Sequence, residues 1–295
     1  MKLSIIVVAY DMQREIPRTL QALCPSYQVG VNELEYEVVL VDNGSPTSLS
    51  IQTGDYPQLA LNHLRIDEAP SSPAHAVNVG VQAATGDVIC LMIDGAHLLT
   101  PGTLQWAWRC FAAFDNPVVA TRYFYVGPKE QPEAIVDGYS QQVEDGLLKK
   151  IAWPQDGYRL FEVGTPLRNG ANKITWFNRM FESNCLFLKR SLFESIGGAD
   201  ERFDFPGGGF VNLDIYKQAV DAPGATPVQL VGEGSFHQIH GGTTTNSSED
   251  KRTRRLALYR QQYEEIRGHS ELVSDKILNF MGHLPTRASK IHLRN

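Results

Sequence analysis

Short apolar runs alternate with segments of helical periodicity along the first half of the chain. The runs are rich in Val and Ile, which is typical of strands buried on both faces of a parallel sheet. These predicted strands are residues 3–9, 37–41, 59–66 and 87–93, the third being the weakest. The predicted helices are residues 15–23, 74–84 and 101–111. Strands that alternate with helices predict an α/β fold with a mainly parallel sheet flanked by helices.

The second half has a less regular pattern. Its predicted strands are residues 118–126, 182–188 and 227–231, and its predicted helices are residues 189–196, 212–220, 251–267 and 272–281. Residues 127–173 are polar and punctuated by Pro and Gly, which predicts an insertion with a helix near residues 137–149. We therefore expect one domain at residues 1–243 and a helical C-terminal extension at residues 244–295.

Composition and charge exclude several classes of protein. A net charge of −6 argues against a nucleic-acid binder, which would carry a basic stripe. No apolar stretch reaches the roughly 18 residues of a transmembrane helix, and the N-terminus lacks the pattern of a signal peptide. The four cysteines form no CxxC pair, so we expect reduced thiols and a cytoplasmic protein. Basic C-terminal residues suggest peripheral contact with the inner membrane face, or a solvated helix face. The sequence does not determine the oligomeric state, and a homo-oligomer is one alternative.

Polar segments follow three of the predicted strands. They are Tyr10-Asp11, Asp42-Asn43 and the residues from Asp94 to His97. Open α/β sheets bind ligands outside the carboxyl ends of their strands. The sequence therefore predicts a binding site where these three segments meet.

Asp94 and His97 are candidate metal ligands in the last of these segments. Asp94 emerges from an apolar strand, and a carboxylate there suits Mg²⁺ or Mn²⁺, of which Mn²⁺ also accepts imidazole. The alternative is that Asp94 only caps the turn through its side chain. For His97, the alternative is a surface histidine in a loop.

His237 and His240 form a second candidate cluster near the end of the domain. Two histidines three residues apart meet one metal on a helical turn, but they point to opposite faces of an extended segment. The glycines around them predict a loop, which leaves one ligand, two ligands or a hydrogen-bonded structural pair as alternatives. The sequence holds no four-ligand Cys/His pattern typical of structural zinc.

Asp214 is the candidate for acid–base chemistry. It lies at the start of a predicted helix, directly after a Gly-rich segment. A carboxylate there can act as a general base on a hydroxyl group. The alternative is an acidic residue that complements the helix dipole.

The order of these fragments resembles that of the family 2 glycosyltransferases, which have the GT-A fold. The opening strand reads SIIVVAY at residues 4–10, and the second strand with its acidic turn reads EVVLVDNGS at residues 37–45. Residues 78–87 resemble the helix and turn that precede the metal-site strand, and LMID at residues 91–94 occupies the place of the acidic metal motif. Residues 182–203 resemble the acceptor-side half. The resemblance covers residues 3 to 220.

The resemblance implies a role for each matching residue. Residues 1–115 would be the half that binds the nucleotide sugar, and residues 116–243 the acceptor-side half. Asp94 would lie at the diphosphate and donor sugar, and Asp214 would be the catalytic base. The residues implied to form the nucleotide pocket are Ala9, Tyr10, Asp42, Asn43 and Asn78.

One departure from the family pattern bears on the metal. The acidic motif of the family continues with further acids, whereas Ala96 and His97 stand at those places here. Ala96 cannot bind a metal, so we expect His97, with His237 or His240, to complete a mixed shell around Mn²⁺ or Mg²⁺.

The resulting expectation is a hexosyltransferase-type enzyme that uses a nucleotide-diphosphate sugar and inverts the anomeric centre. Its acceptor would be a glycan, a lipid-linked or a small-molecule hydroxyl, in bacterial surface polysaccharide or glycoconjugate synthesis. A nucleotidyltransferase is disfavoured because no Gly-rich loop follows the first strand. A non-catalytic protein that binds nucleotide sugars or glycans is the other alternative.

Overall fold

A computed structural model describes residues 1–168, 173–240 and 249–289, with only the backbone described for residues 249–252. The strands are Leu3–Ala9 (β1), Tyr36–Asp42 (β2), Ala60–Arg65 (β3), Val88–Met92 (β4), His97–Leu99 (β5), Pro117–Val126 (β6), Gly164–Pro166 (β7), Leu186–Lys189 (β8), Thr226–His237 (β9) and Asn279–Gly282 (β10). The helices are Ile16–Leu23 (α1), Ala74–Ala83 (α2), Thr103–Ala113 (α3), Gln131–Val136 (α4), Gln141–Lys150 (α5), Leu160–Val163 (α6), Arg190–Ser195 (α7), Val211–Asp221 (α8) and Glu249–Arg267 (α9).

One mixed sheet organises the described chain. Its strand order is β10-β9-β6-β8-β4-β1-β2-β3, with β5 paired to β9 and β7 paired to β6. The pairs β4–β1, β1–β2, β2–β3, β6–β9 and β9–β10 are parallel, whereas β8 runs antiparallel to both β4 and β6. The predicted α/β class with a mainly parallel sheet is confirmed, and the carboxyl ends of β1, β2 and β4 lie at one edge.

Two helical layers cover the faces of this sheet. Ile5 and Val7 of β1 belong to the core beneath α1 and α3, whereas Ile6 and Val8 belong to the core beneath α2, α7, α8 and α9. These four side chains are at most 3% exposed. Because successive residues of a strand point to opposite faces, a strand between two cores must be apolar throughout. The continuous apolar run of β1 in the sequence is the result.

The predicted strand at residues 227–231 is too short. The strand β9 runs from Thr226 to His237. Its pairing with β6 shifts register between Ala120 and Arg122 of β6, so β9 continues through its own glycines. Gly232 has φ +82°, and a Cβ there would lie 1.8 Å from the backbone oxygen of His283. The glycines therefore permit a bulge inside a strand, whereas the sequence pattern indicated a loop.

The predicted helix at residues 272–281 is wrong. Residues 279–282 form the strand β10, which pairs in parallel with β9 at the edge of the sheet. Tertiary pairing decides this segment, because β9 offers an unpaired edge that a short apolar segment can cover. The helix predicted at residues 251–267 is confirmed as α9. The expected domain boundary between residues 243 and 244 lies outside the described residues.

The insertion at residues 127–173 contains helices α4, α5 and α6, of which α5 corresponds to the helix predicted near residues 137–149 and the other two were not predicted. All four cysteines are free and buried, as expected for small apolar side chains. Among the described helices, none has the length and apolar character needed to cross a bilayer.

Candidate metal centre

Asp94 is fixed by its backbone at the carboxyl end of β4. The side chain of Asn184 accepts a hydrogen bond from the Asp94 N–H at 2.9 Å and donates one to its carbonyl at 3.0 Å. The Oδ1 atom of Asp94 accepts from the N–H of Ala96 at 2.9 Å, which leaves Oδ2 to other side chains. A Cβ on Gly95 would lie 2.6 Å from the Val8 carbonyl, so glycine allows this turn to approach β1 closely.

His237 and His240 bring their imidazoles to the free oxygen of Asp94. Both Nε2 atoms lie 3.1 Å from Oδ2 of Asp94 and 3.0 Å from each other. His237 ends β9 and the chain turns after it, so the two side chains are not on opposite faces of one strand. The structure therefore places both histidines at this cluster.

The distances between these atoms fit a metal ion. In octahedral coordination with bonds of about 2.1 Å, neighbouring ligand atoms lie about 3 Å apart, which matches the three separations. Two imidazoles and one carboxylate leave three octahedral positions for other oxygen atoms, such as those of a diphosphate. The donor set of Asp94, His237 and His240 therefore fits a divalent cation.

The protonation states of Asp94 and His237 favour metal binding, whereas Asp94 outweighs burial and raises the pKa of His240, so a metal would displace a proton from that ring. Burial lowers the pKa of His237 below its usual value, against the opposing effect of Asp94, so its ring is neutral near pH 7. Burial alone would raise the pKa of Asp94, but the two imidazoles outweigh it and hold that pKa well below its usual range. A neutral imidazole and an ionised carboxylate are the forms that bind metals.

A buried network holds the segment between the two histidines. The Gln238 N–H donates to the Ala96 carbonyl at 2.8 Å, and the Ile239 N–H donates to Glu144 at 2.7 Å. Glu144 is fully buried and paired with Arg14 at 2.9 Å, which ties the insertion to this segment. Neither Glu144 nor Asn184 was among the predicted site residues. No local pattern marks Glu144, while Asn184 belongs to a polar trio directly before an apolar strand.

His97 lies outside the group of three ligand atoms, although a ligand was expected at this position. It belongs to β5 and sits opposite His237 in the pairing with β9. Its Nδ1 lies 2.7 Å from the hydroxyl of Ser235, and its ring packs edge-on against those of His237 and Tyr123. Burial lowers the pKa of His97 well below its usual value. This arrangement favours a neutral packing residue behind the metal ligands.

The expected nucleotide residues of β1 and β2 lie at the same edge of the sheet. The N–H of Asn43 donates to the carbonyl of Ala9 at 2.8 Å, and the ring of Tyr10 is exposed. Asp42 is fully buried and accepts hydrogen bonds from the N–H groups of residues 45 and 49 and from Arg65. Its carboxylate therefore shapes the turn, whereas Oδ1 of Asn43 is buried without a hydrogen-bond partner among the described residues.

Asn78 and Asp214 are engaged in other contacts. Asn78 bonds with both backbone groups of Ala199 and with Glu201, all at 2.9 Å, which ties α2 to the loop before α8. Asp214 is 1% exposed, and Arg267 of α9 donates to both of its oxygens at 2.7 and 2.6 Å. The structure does not bring either side chain to the metal ligands.

Comparison with known proteins identifies relatives of this architecture. The family model described as glycosyl transferase family 2 matches residues 4–195. TarS from S. aureus in complex with UDP-GlcNAc is 15% identical, with a TM-score of 0.55 over 90% of this chain and 67% of that chain. The mannosyltransferase PcManGT from Pyrobaculum calidifontis, in complex with GDP-Man and Mn²⁺, is 16% identical, with a TM-score of 0.54 over 99% and 68%.

A curated relative adds sequence similarity without a known activity. The uncharacterized protein y4gI of Sinorhizobium fredii is 22% identical over 203 residues, which are 67% of this chain. This chain spans about a fifth of the length of that relative. The structural neighbours establish that the fold is GT-A, and the family match covers more than half of the chain.

Proposed function

Because this chain belongs to glycosyl transferase family 2, we propose that it transfers a sugar from a nucleoside diphosphate to a hydroxyl acceptor. The observation that carries this proposal is the convergence of Asp94, His237 and His240 at the edge where β1, β2 and β4 end. That edge is where open α/β sheets bind nucleotides. A divalent cation bound there would neutralise the charge that gathers on the departing diphosphate.

The site residues divide between binding the cation and binding the nucleotide. Asp94, His237 and His240 would hold the cation, and imidazole ligands favour Mn²⁺ over Mg²⁺. The exposed ring of Tyr10 and the free Oδ1 of Asn43 would contact the base and ribose, with Asp42 holding the turn. Ala9 would shape the floor of the pocket through its backbone. The neighbours bound to UDP-GlcNAc and GDP-Man support UDP- or GDP-hexoses as donors.

The reaction would be a single displacement that inverts the anomeric carbon. The acceptor would be a hydroxyl of a glycan, a lipid-linked or a small molecule, in the synthesis of a bacterial surface polysaccharide or glycoconjugate. Asp94 is held at its backbone by Asn184 and at Oδ1 by Ala96, so its Oδ2 is positioned before any ligand arrives. Such prior positioning is the main source of electrostatic catalysis.

Titration calorimetry tests the proposal. Mn²⁺ is titrated first, and then UDP, GDP, UDP-GlcNAc and GDP-Man are titrated with and without Mn²⁺. We expect at least one nucleotide to bind more tightly with Mn²⁺ and the metal-bound protein to release nucleoside diphosphate from the matching sugar. Asp94→Asn should lower that rate by about 10²–10³, whereas Asp55→Asn, at an exposed carboxylate, should not. Binding without any release would favour a non-catalytic protein that binds nucleotide sugars.

A further inference from the structure

A cavity of about 220 Å³ lies in the acceptor-side half of the chain. Tyr123 and Glu182 line it, together with Arg122 and Arg179. The ring of Tyr123 stacks on that of His237 with centroids 5.7 Å apart, so the same side chain borders both the cavity and the metal centre. The ring of Tyr123 is therefore what separates a molecule in this cavity from His237.

Glu182 presents an acidic group to this cavity. It lies two residues before Asn184, whose side chain binds both backbone groups of Asp94, so this stretch of backbone is held beside the end of β4. The amide of Asn212 donates to Oε2 of Glu182 at 3.2 Å. In the described part of the chain, no Lys, Arg or His forms an ion pair with Glu182. Burial raises the pKa of this carboxyl above its usual value, although the bond from Asn212 opposes the shift.

Asp214, the base implied by the family resemblance, has a different environment. Both of its oxygens are bound by the guanidinium of Arg267, and its side chain is 1% exposed. An acceptor hydroxyl could reach it only if the pair with Arg267 opened. Opening would break this pair and leave Arg267 with Asp200 alone, whose Oδ2 lies 3.2 Å from Nη2 of Arg267. The geometry favours a structural role for Asp214 and leaves Glu182 as the carboxylate that lines the cavity.

We propose that the cavity holds the acceptor and that Glu182 is the general base of the transfer. This inference rests on the proposed function. The acceptor oxygen forms its bond to the anomeric carbon while the bond from that carbon to the diphosphate oxygen breaks. The proton of the acceptor hydroxyl passes to Glu182, and the electron pair of the broken bond leaves with the nucleoside diphosphate. Asn212 is a positioning residue that holds the carboxylate toward the cavity.

The test compares Glu182→Gln, Glu182→Asp and Asp214→Asn with the exposed control Glu264→Gln in the full chain. The nucleotide sugar that binds most tightly in the calorimetric screen serves as donor, with Mn²⁺ present and water as the acceptor. Release of nucleoside diphosphate gives kcat and KM, calorimetry gives the Kd for donor, and thermal unfolding reports folding of each variant. Glutamine keeps the size and the hydrogen-bonding shape of Glu182, so the substitution removes mainly the ability to accept a proton.

We expect Glu182→Gln to lower kcat by about 10²–10⁴ while the Kd for donor stays within about threefold. Glu182→Asp, which keeps a carboxylate, should recover part of that loss. A Glu182→Gln protein that releases nucleoside diphosphate at the wild-type rate overturns the inference. An Asp214→Asn protein that keeps normal thermal stability and loses more kcat than Glu182→Gln also overturns the inference. If the wild type neither binds nor cleaves any donor, the proposed function fails, and the inference fails with it.

Discussion

His237 and His97 lie opposite each other on paired strands, yet their rings have different surroundings. The Nε2 of His237 faces Asp94, whereas His97 bonds with Ser235 and supports the ring of His237 from behind. A metal ligand must place a ring nitrogen at the cluster, whereas a residue that packs behind the ligand needs only a ring of similar size. Their substitutions should therefore differ in their effect on metal affinity.

We expect His240→Ala to weaken Mn²⁺ binding by at least about tenfold. His97→Gln should weaken it less, because it acts only by shifting the neighbouring ring of His237. Removing an outer contact typically costs about 10–100-fold in metal affinity, and removing a ligand costs no less. Titration calorimetry or electron paramagnetic resonance of bound Mn²⁺ measures both constants. His75→Ala, at a histidine bonded to Glu201, is the control. Equal losses of Mn²⁺ affinity in the His97 and His240 variants would indicate that His97 is also a ligand.

The side chain of Glu37 makes the stability of the fold depend on pH. Burial alone would raise its pKa, but hydrogen bonds from Ser4, Thr85 and Lys2 outweigh burial and lower the pKa to about 2 from 4.5. A carboxyl with a lowered pKa stabilises the fold above its unfolded pKa and loses this contribution as pH falls toward the folded one. The shift corresponds to at most about 3 kcal/mol at neutral pH.

Glu37→Gln should therefore lower the free energy of unfolding by about 1–3 kcal/mol at pH 7 and by much less near pH 3. Denaturant unfolding of the wild type and the variant at both pH values measures the difference. Glu264→Gln, at an exposed position, should change neither value. A loss that stays constant with pH would show that the ionised form of Glu37 is not what stabilises β1 against β2.

At the scale of elements, β9 is extended by two features that a local pattern does not reveal. Gly232 allows a bulge, and β10 pairs along the edge from Val228 to Val231. A side chain at position 232 would meet both an unfavourable φ of +82° and the backbone of His283. Gly224 has a similar φ of +73° but open space around its Cα, so it isolates the first effect.

Gly232→Ala should therefore destabilise the protein by more than Gly224→Ala, for which left-handed backbone strain alone predicts about 1–2 kcal/mol. Denaturant unfolding of both variants gives the comparison. The excess for Gly232→Ala is the cost of displacing β10 from the sheet. Equal losses would mean that β10 does not pair with β9 in solution.

Helices α8 and α9 are joined by the pair of Asp214 and Arg267. Removing one partner leaves the other charge buried, so Arg267→Met should destabilise the fold by about 2–4 kcal/mol, somewhat below the range for fully buried pairs because Arg267 is 19% exposed. The double variant Asp214→Leu/Arg267→Met should recover part of this loss. Thermal and denaturant unfolding measure both. A double variant no more stable than Arg267→Met would argue against a buried pair.

At the scale of the molecule, the candidate metal ligands come from distant parts of one sheet. Asp94 follows β4, His237 ends β9, and the sheet places β8 and β6 between these two strands. A cation bound across them links both halves of the chain. Ligands that bind only the folded state stabilise it by about 2.7 kcal/mol at a concentration of 100 times Kd.

Mn²⁺ and nucleotide together should therefore raise the unfolding temperature by more than either does alone. At 100 times Kd, we expect an increase of about 4–8 °C for each ligand that binds the folded chain. Differential scanning fluorimetry with Mn²⁺, with UDP or GDP, and with both measures the effect. In the Asp94→Asn variant, Mn²⁺ and nucleotide together should raise the unfolding temperature only as much as nucleotide alone does. A joint increase in Asp94→Asn equal to that of the wild type would exclude Asp94 from the shared site.

The sequence by itself determined the features that depend on near neighbours along the chain. A strand buried on both faces must be apolar throughout, so β1, β2 and β4 and the polar turns at their ends could be read from the pattern of residues. Asp94 was predicted as a candidate metal ligand for the same reason, and the two histidines were predicted as candidates from their spacing.

Only the tertiary structure decided what depends on distant contacts. It placed His237 and His240 together at Asp94, moved His97 behind them, and gave Asp214 the guanidinium of Arg267. It also made β10 a strand, because an unpaired edge of β9 lies beside it. The physical reason is that ion pairs, bulges and edge pairing form between segments brought together by folding, and the spacing of residues along the chain does not encode those distances.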